Sequence, residues 1–174
     1  VHIKGLGGIE ARDFQRSLPV QTGRPFNRIE LATFLEDYEQ NLREREFYEA
    51  RVVGVHEFID GREVDVTIDV NRGPRTVVVF TGDPMAESIL RELVPIEQEM
   101  SVDEDLLENS ALALRDYWVV RGYPDASVEH TREDHGSELV VTFEVLRGRH
   151  HIIDTVEFFG SSMLSNEDLY ELLE

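Results

Sequence analysis

The sequence predicts an α+β chain in which one β-α-α-β-β unit is used twice. Three observations carry this. Phe47–Val52 aligns with Tyr123–Val128 at an offset of 76. The steps Ile3-Lys4-Gly5, Phe80-Thr81-Gly82 and Phe158-Phe159-Gly160 recur 77 and 78 positions apart. Two alternating apolar runs, Val64 to Val70 and Leu139 to Val145, lie 75 apart and read as strands, the first strictly alternating with one buried face.

Taken in order, Val1-His2-Ile3 is a short strand closed by Gly5, and the glycines at 5, 7 and 8 make a loop. Glu10–Leu18 suits a short helix, with Ile9, Phe14 and Leu18 on one face and Pro19 as its stop. Asn27-Arg28-Ile29-Glu30 has capping-box form: the Asn side chain accepts from a first-turn N–H while Glu30 reaches back. The following helix carries Leu31, Phe34, Leu35, Tyr38 and Leu42 on one face and charges on the other. Ala50–Ile59 is a strand with Val53, Val55 and Phe58 apolar, and Asp60-Gly61 is a two-residue hairpin signal. Asn71-Arg72-Gly73-Pro74 ends the unit.

The second pass keeps the order. Thr76–Phe80 is a strand, and Asp83-Pro84 places a cap before Pro at a first helical position. Met85–Val94 is a short helix, and Ser101-Val102-Asp103-Glu104 is a second capping box. The helix after it runs to Arg121, with Tyr117 in the core and Gly122 as its positive-φ stop. Ala126–Thr131 is a strand and Asp134–Ser137 a turn, and Arg147-Gly148 closes the unit as Arg72-Gly73 closes the first. Ile152–Phe159 and a third cap-like start at Ser165-Asn166-Glu167-Asp168 begin a further pass. The units are therefore expected at 1–73, 74–148 and 149–174, the last incomplete. A chain opening on Val1 in a strand and closing at Glu174 inside a helix reads as a piece of a longer protein.

Composition narrows the function. The net charge of −19, from 36 acidic and 17 basic residues, argues against binding nucleic-acid phosphates, which needs clustered Lys and Arg. It also argues against docking on anionic lipid. Zero cysteines exclude disulfide scaffolds and thiolate metal sites. No apolar run is long enough for a transmembrane helix.

Catalysis needs a nucleophile with a base, or paired carboxylates in a cleft, and no such set can be assembled from this sequence. The pair His150-His151 has only Asp154 nearby as a further ligand and reads as junction residues beside Arg147 and Arg149. Asp103-Glu104-Asp105 reads as acids favouring a helix N-terminus. Gly5-Leu6-Gly7-Gly8 lacks the patterns of a phosphate cradle and reads as a turn. No catalytic residue, metal ligand or cofactor is expected. A small α+β hydrolase is the remote alternative.

A β-α-α-β-β unit of about 75 residues closing on a V-x-x-G step resembles a POTRA domain. The run Ala113-Leu114-Arg115-Asp116-Tyr117 followed by Arg121-Gly122-Tyr123-Pro124-Asp125-Ala126 carries most of that resemblance. The first unit departs from it by placing Arg45-Glu46 where the second has Arg121-Gly122. Tandem POTRA units form the periplasmic arm of Omp85-superfamily outer-membrane assembly proteins. The resemblance implies two antiparallel helices on a three-stranded mixed sheet, with the second strand at an edge open to an added partner strand. Here that implies Ala50, Arg51, Val52, Val53, Gly54 and Val55 on one edge, and Ala126, Ser127, Val128, Glu129 and His130 on the other. Arg72, Gly73 and Pro74, and Arg147, Gly148, Arg149 and His150, would set the angles between units. The implied partners are unfolded outer-membrane proteins or accessory lipoproteins, met in the periplasm, with the parent carrying an outer-membrane β-barrel. A translocator or autotransporter-assembly arm, or a purely structural spacer, are the alternatives.

Overall fold

The computed structural model describes residues 1–21, 23–59 and 63–157. The chain runs β1 (His2–Lys4), α1 (Gly8–Ser17), α2 (Arg28–Glu44), β2 (Arg51–Ile59), β3 (Glu63–Asn71), β4 (Arg75–Gly82), α3 (Glu87–Leu93), α4 (Ile96–Glu99), α5 (Glu104–Val119), β5 (Ser127–Asp134) and β6 (Glu138–Leu146). Two three-stranded mixed sheets result, ordered β1-β3-β2 and β4-β6-β5. In each, the first strand lies parallel to the last and the middle strand in sequence pairs antiparallel with the last at the edge.

The alternating runs place these sheets. Val66, Ile68 and Val70 on β3, and Leu139, Val141, Phe143 and Val145 on β6, are all buried. Each sheet has its own apolar cluster. The first gathers Phe14, Leu18, Leu31, Leu35 and Leu42 from α1, the loop after it and α2. The second gathers Val94, Ile96, Val102, Leu107, Ala111 and Leu114 from the α3–α5 side. Phe14 is packed as expected, while the Ile9 side chain lies outside the described residues.

The 77-residue step from Gly5 to Gly82 has a steric cause. A Cβ on Gly5 would stand 1.9 Å from the Val70 carbonyl oxygen, and one on Gly82 would stand 2.2 Å from that of Val145. Both glycines also have positive φ, at 82° and 84°.

The first cap forms as expected, and several other expectations are corrected. Asn27 caps α2 by accepting from the N–H of Ile29 and Glu30. The second capping box does not form: Asp103 is the N-cap, and Ser101 bonds Asp103 instead of the helix. Asp83 caps no helix, because its carboxylate is taken by Arg147, whose backbone N–H donates to Oδ2 at 2.9 Å. Helix α3 starts at Glu87, and the second unit carries three helices where two were expected. Strand β5 reaches Asp134, past the expected end at Thr131, because Arg132, Glu133 and Asp134 still pair with β6.

Tyr117 is only half-buried, beneath the Arg121 guanidinium at 3.6 Å, since the inward face of α5 ends at Leu114. Residues 152–157 form no strand, where one was expected over Ile152–Phe159. The Asp60-Gly61 turn, the Phe158-Phe159-Gly160 step and the cap at Ser165–Asp168 lie outside the described residues.

Candidate functional site

Three features are candidates: the two outer sheet edges, and the seam between the sheets. Strand β2 pairs with β3 from Arg51↔Asn71 through Ile59↔Glu63 and has no partner strand on its other side among the described residues. Among the described residues, one backbone group on that side has a partner. The N–H of Val52 donates to Glu39 Oε2 at 2.8 Å. Glu39 comes from α2 and is itself held by Arg43 at 2.7 Å and Arg51 at 3.8 Å. Successive N–H groups along a strand alternate in direction. Gly54, His56 and Phe58 therefore share the outward direction of Val52, and Val53, Val55 and Glu57 face β3.

Side chains along this edge are mostly apolar on both faces, with Arg51 and Glu57 as its charged residues. Val53, Val55 and Phe58 are 54%, 63% and 64% exposed. On the face away from the helices, Val53 and Val55 line a shallow concavity of about 410 Å³ with Lys4, Arg51, Thr67, Asp69 and Asn71. On the helix side, His56 and Phe58 form an aromatic group with Phe26, whose ring lies 5.3 Å from His56 and 6.4 Å from Phe58. Gly54 lets the strand close on α2: a Cβ there would stand 2.5 Å from Leu35 Cδ1.

Strand β5 occupies the same edge position in the second sheet but presents different chemistry. Its residues Ser127, Glu129, Thr131, Arg132, Glu133 and Asp134 are polar or charged and exposed. Val128 packs inward against the core. His130 Nε2 lies 2.9 Å from Glu104 Oε1, and Arg132 is ion-paired with Glu49 of the preceding unit. Charged edges of this kind resist strand addition. Ala50 and Ala126 stand one residue before the two edges, buried in matching turns in which their N–H donates to the carbonyls of Phe47 and Tyr123. They position the strands and do not line them.

The seam is built by the α2–β2 loop. Helix α2 ends in a Schellman arrangement: Glu46 N–H bonds the Arg43 carbonyl and Phe47 N–H that of Leu42. This puts Glu46 at φ 69°, a conformation costing a non-glycine residue about 1–2 kcal/mol. The Glu46 carbonyl accepts from Thr76 N–H at 2.8 Å, and its carboxylate from Arg75 Nε at 2.6 Å. Tyr48 packs against the second apolar cluster, and Gln40 reaches Met100. Arg72 covers the Phe47 ring at 4.8 Å, Gly73 lies against Glu49, and Pro74 is buried. The second closing step is similar: Arg147 stands 5.6 Å from the Tyr123 ring, Gly148 lies against Asp125, the His150 ring lies tilted against Tyr123 at 4.8 Å, and Arg149 is exposed. Among the described residues, no three His, Asp or Glu side chains come together as a metal site.

Burial pushes the Tyr48 hydroxyl above the usual tyrosine value, with Glu97 and then Glu46 adding to the shift. The folded chain thus holds this proton more tightly than the unfolded chain does. The contribution is complete below about pH 10 and is lost as pH rises beyond it. A urea midpoint followed from pH 8 to 11 should fall more steeply in the native chain than in Tyr48→Phe; identical slopes would place Tyr48 in contact with solvent.

Sequence reasoning missed Glu39, Tyr48 and the Glu49–Arg132 pair. The helical pattern marks Glu39 only as an exposed acid beside Arg43, and its bond to Val52 is a tertiary contact with no local signal.

A family model described as surface antigen variable number repeat, the POTRA repeat, matches residues 1–73. Among solved structures, POTRA domains 3–5 of BamA from Haemophilus influenzae are 19% identical, with 98% of this chain and 73% of that one covered and a TM-score of 0.38. The N-terminal domain of Omp85 from Thermosynechococcus elongatus is 17% identical, covering 84% and 60%, with a TM-score of 0.37. POTRA domains 1–2 of the Anabaena Omp85 periplasmic region are 17% identical, covering 86% and 94%, with a TM-score of 0.39. No curated protein sequence matches the chain.

Proposed function

We propose, from the match of residues 1–73 to the POTRA family model and the repeat of their strand order in residues 75–146, that the chain is a binding and scaffold module from the periplasmic arm of an Omp85-type protein. Its units run 1–73 and 74–148, and a third opens at 149. The module is not an enzyme. It holds extended segments of unfolded outer-membrane proteins, or of accessory proteins, by adding them as a strand at a sheet edge.

The observation that carries this reading is β2: a nine-residue edge, mostly apolar on both faces, with outward N–H groups at Gly54, His56 and Phe58. Long, flat, apolar edges are the ones that accept another chain. Backbone bonds tolerate many sequences, which suits a handover step. The β5 edge, guarded by charge and by its tie to Glu49, is the weaker acceptor. The second unit then acts mainly as a spacer that holds the first at a set angle, a reading favoured by the contacts of Tyr48, Glu46 and Glu49 across the seam.

The test is amide chemical-shift perturbation of the labelled chain with peptides copied from β-barrel strands. Shifts should centre on residues 53–59 of β2. Shifts spread over α2 and α5 with none on β2 would refute strand addition.

A further inference from the structure

Each sheet has a second face, turned away from its helices, and the two faces differ in chemistry. On β5, Val128 packs into the core, so alternation puts Glu129, Thr131 and Glu133 on the open side. On β6 the open side carries Val140, Thr142 and Glu144, since Leu139, Val141 and Phe143 are buried. On β4 it carries Val77 and Val79, which alternate with the core residues Val78 and Phe80. The register sets Val77 beside Val140 and Val79 beside Thr142. These make a small apolar patch, in which Val79 is 37% exposed.

Acids border the patch. Glu129 stands directly opposite Glu144, and like charges so placed, about 5 Å apart at Cβ, destabilise a sheet. Glu133 stands opposite Val140. Among the described residues, neither Glu129 nor Glu144 has an ion-pair partner. Arg132, the cation of β5, shares the other face with Val128 and is held by Glu49. On the first sheet, Asp69 has Lys4 beside it, and Asp65 lies 3.6 Å from His2 Nε2. The second sheet puts Thr81 and Val79 at the places of Lys4 and His2, 77 residues on.

We propose that the open face of the β4-β6-β5 sheet docks a basic amphipathic helix of a partner protein. The apolar stripe of that helix covers Val77, Val79 and Val140, and Lys or Arg on its flank neutralises the opposed pair Glu129 and Glu144. The occupant is a helix because β6 is the central strand, bonded on both sides, so the face offers it side chains and no unpaired N–H or C=O. A second copy of the chain is disfavoured, because the same acids would meet. An anionic lipid surface is disfavoured for the same reason. The proposal goes beyond strand addition and does not depend on the β2 edge.

The probe is a designed helical peptide of about 18 residues, with leucines in one stripe and lysines along its flanks. A peptide of the same composition in scrambled order is the control. Amide shifts of the labelled chain should centre on Val77, Val79, Thr131, Val140 and Thr142. The scrambled peptide should bind at least about tenfold more weakly. Glu129→Gln combined with Glu144→Gln should weaken the designed peptide by about tenfold. Removing the same charge from α2, with Glu36→Gln and Asp37→Asn, should change its binding by less than about twofold. The Glu129 and Glu144 substitutions relieve repulsion, so the urea midpoint should not fall and lost binding cannot be ascribed to unfolding. Shifts centred on another element, equal binding of the scrambled peptide, or an equal loss from the α2 substitutions would each overturn the docking face. The last two are what the net charge of −19 alone would give.

Discussion

Gly82→Ala should cost the second unit about 3–5 kcal/mol, combining left-handed backbone strain with overpacking. The added methyl has nowhere to go: its Cβ falls 2.2 Å from the Val145 carbonyl oxygen and 3.0 Å from its carbon. That oxygen already accepts from the N–H of Asp83, so the strand cannot retreat without losing a bond. Stability of 0.05–0.15 kcal/mol per residue gives a 75-residue unit only about 4–11 kcal/mol in all. The substitution therefore removes a large part of it.

Gly136→Ala separates the two causes. Gly136 has nearly the same φ, 83°, but nothing within 4 Å of its Cβ, so only the backbone term of about 1–2 kcal/mol should appear. Gly5→Ala should repeat the large effect in the first unit. Denaturant unfolding of the three variants checks this, and equal losses at Gly82 and Gly136 would show that the close approach to Val145 is not maintained in solution.

These glycines show why so much of the fold is legible in the sequence. The alternation in Val64–Val70 and Leu139–Val145 fixes which face of each sheet is buried, and the Gly5 and Gly82 steps mark where the chain passes over the last strand. Both are short-range patterns with a steric cause. The α2 cap at Asn27 is legible for the same reason. Asp83 and Ser101 mislead because a local cap competes with a tertiary partner: Arg147 claims Asp83, and Asp103 claims Ser101. The candidate site is legible only in outline. The two strands follow from the repeat and their edge position from the family resemblance, but the difference between them follows from neither. It depends on Glu39 reaching Val52, on Glu104 reaching His130, and on Glu49 reaching Arg132 across 83 positions. No periodicity encodes such pairs.

His56→Pro should weaken peptide binding at β2 by about tenfold, the equivalent of one hydrogen bond of about 1.4 kcal/mol, while the fold persists. The expectation follows from the Glu39 bond. Because that carboxylate takes the Val52 N–H from outside the sheet, the N–H of His56, four residues on, also points outward. Proline there removes a donor that the sheet does not use, and proline is tolerated on edge strands where the N–H faces solvent. The cost to folding should be confined to about 1–2 kcal/mol for the φ restriction and the altered contact with Phe26. Val55→Pro is the informative neighbour. Its N–H faces β3 opposite Thr67, so the same change breaks a ladder bond and should cost about 3 kcal/mol or more. Glu39→Ala works in the opposite sense: it frees the Val52 N–H, lengthens the available edge, and should tighten peptide binding even as it loosens α2 from β2. Titrating one barrel-strand peptide against all three, with thermal unfolding alongside, decides the matter. If His56→Pro binds as well as the native chain while staying folded, the partner does not add to β2 as a strand.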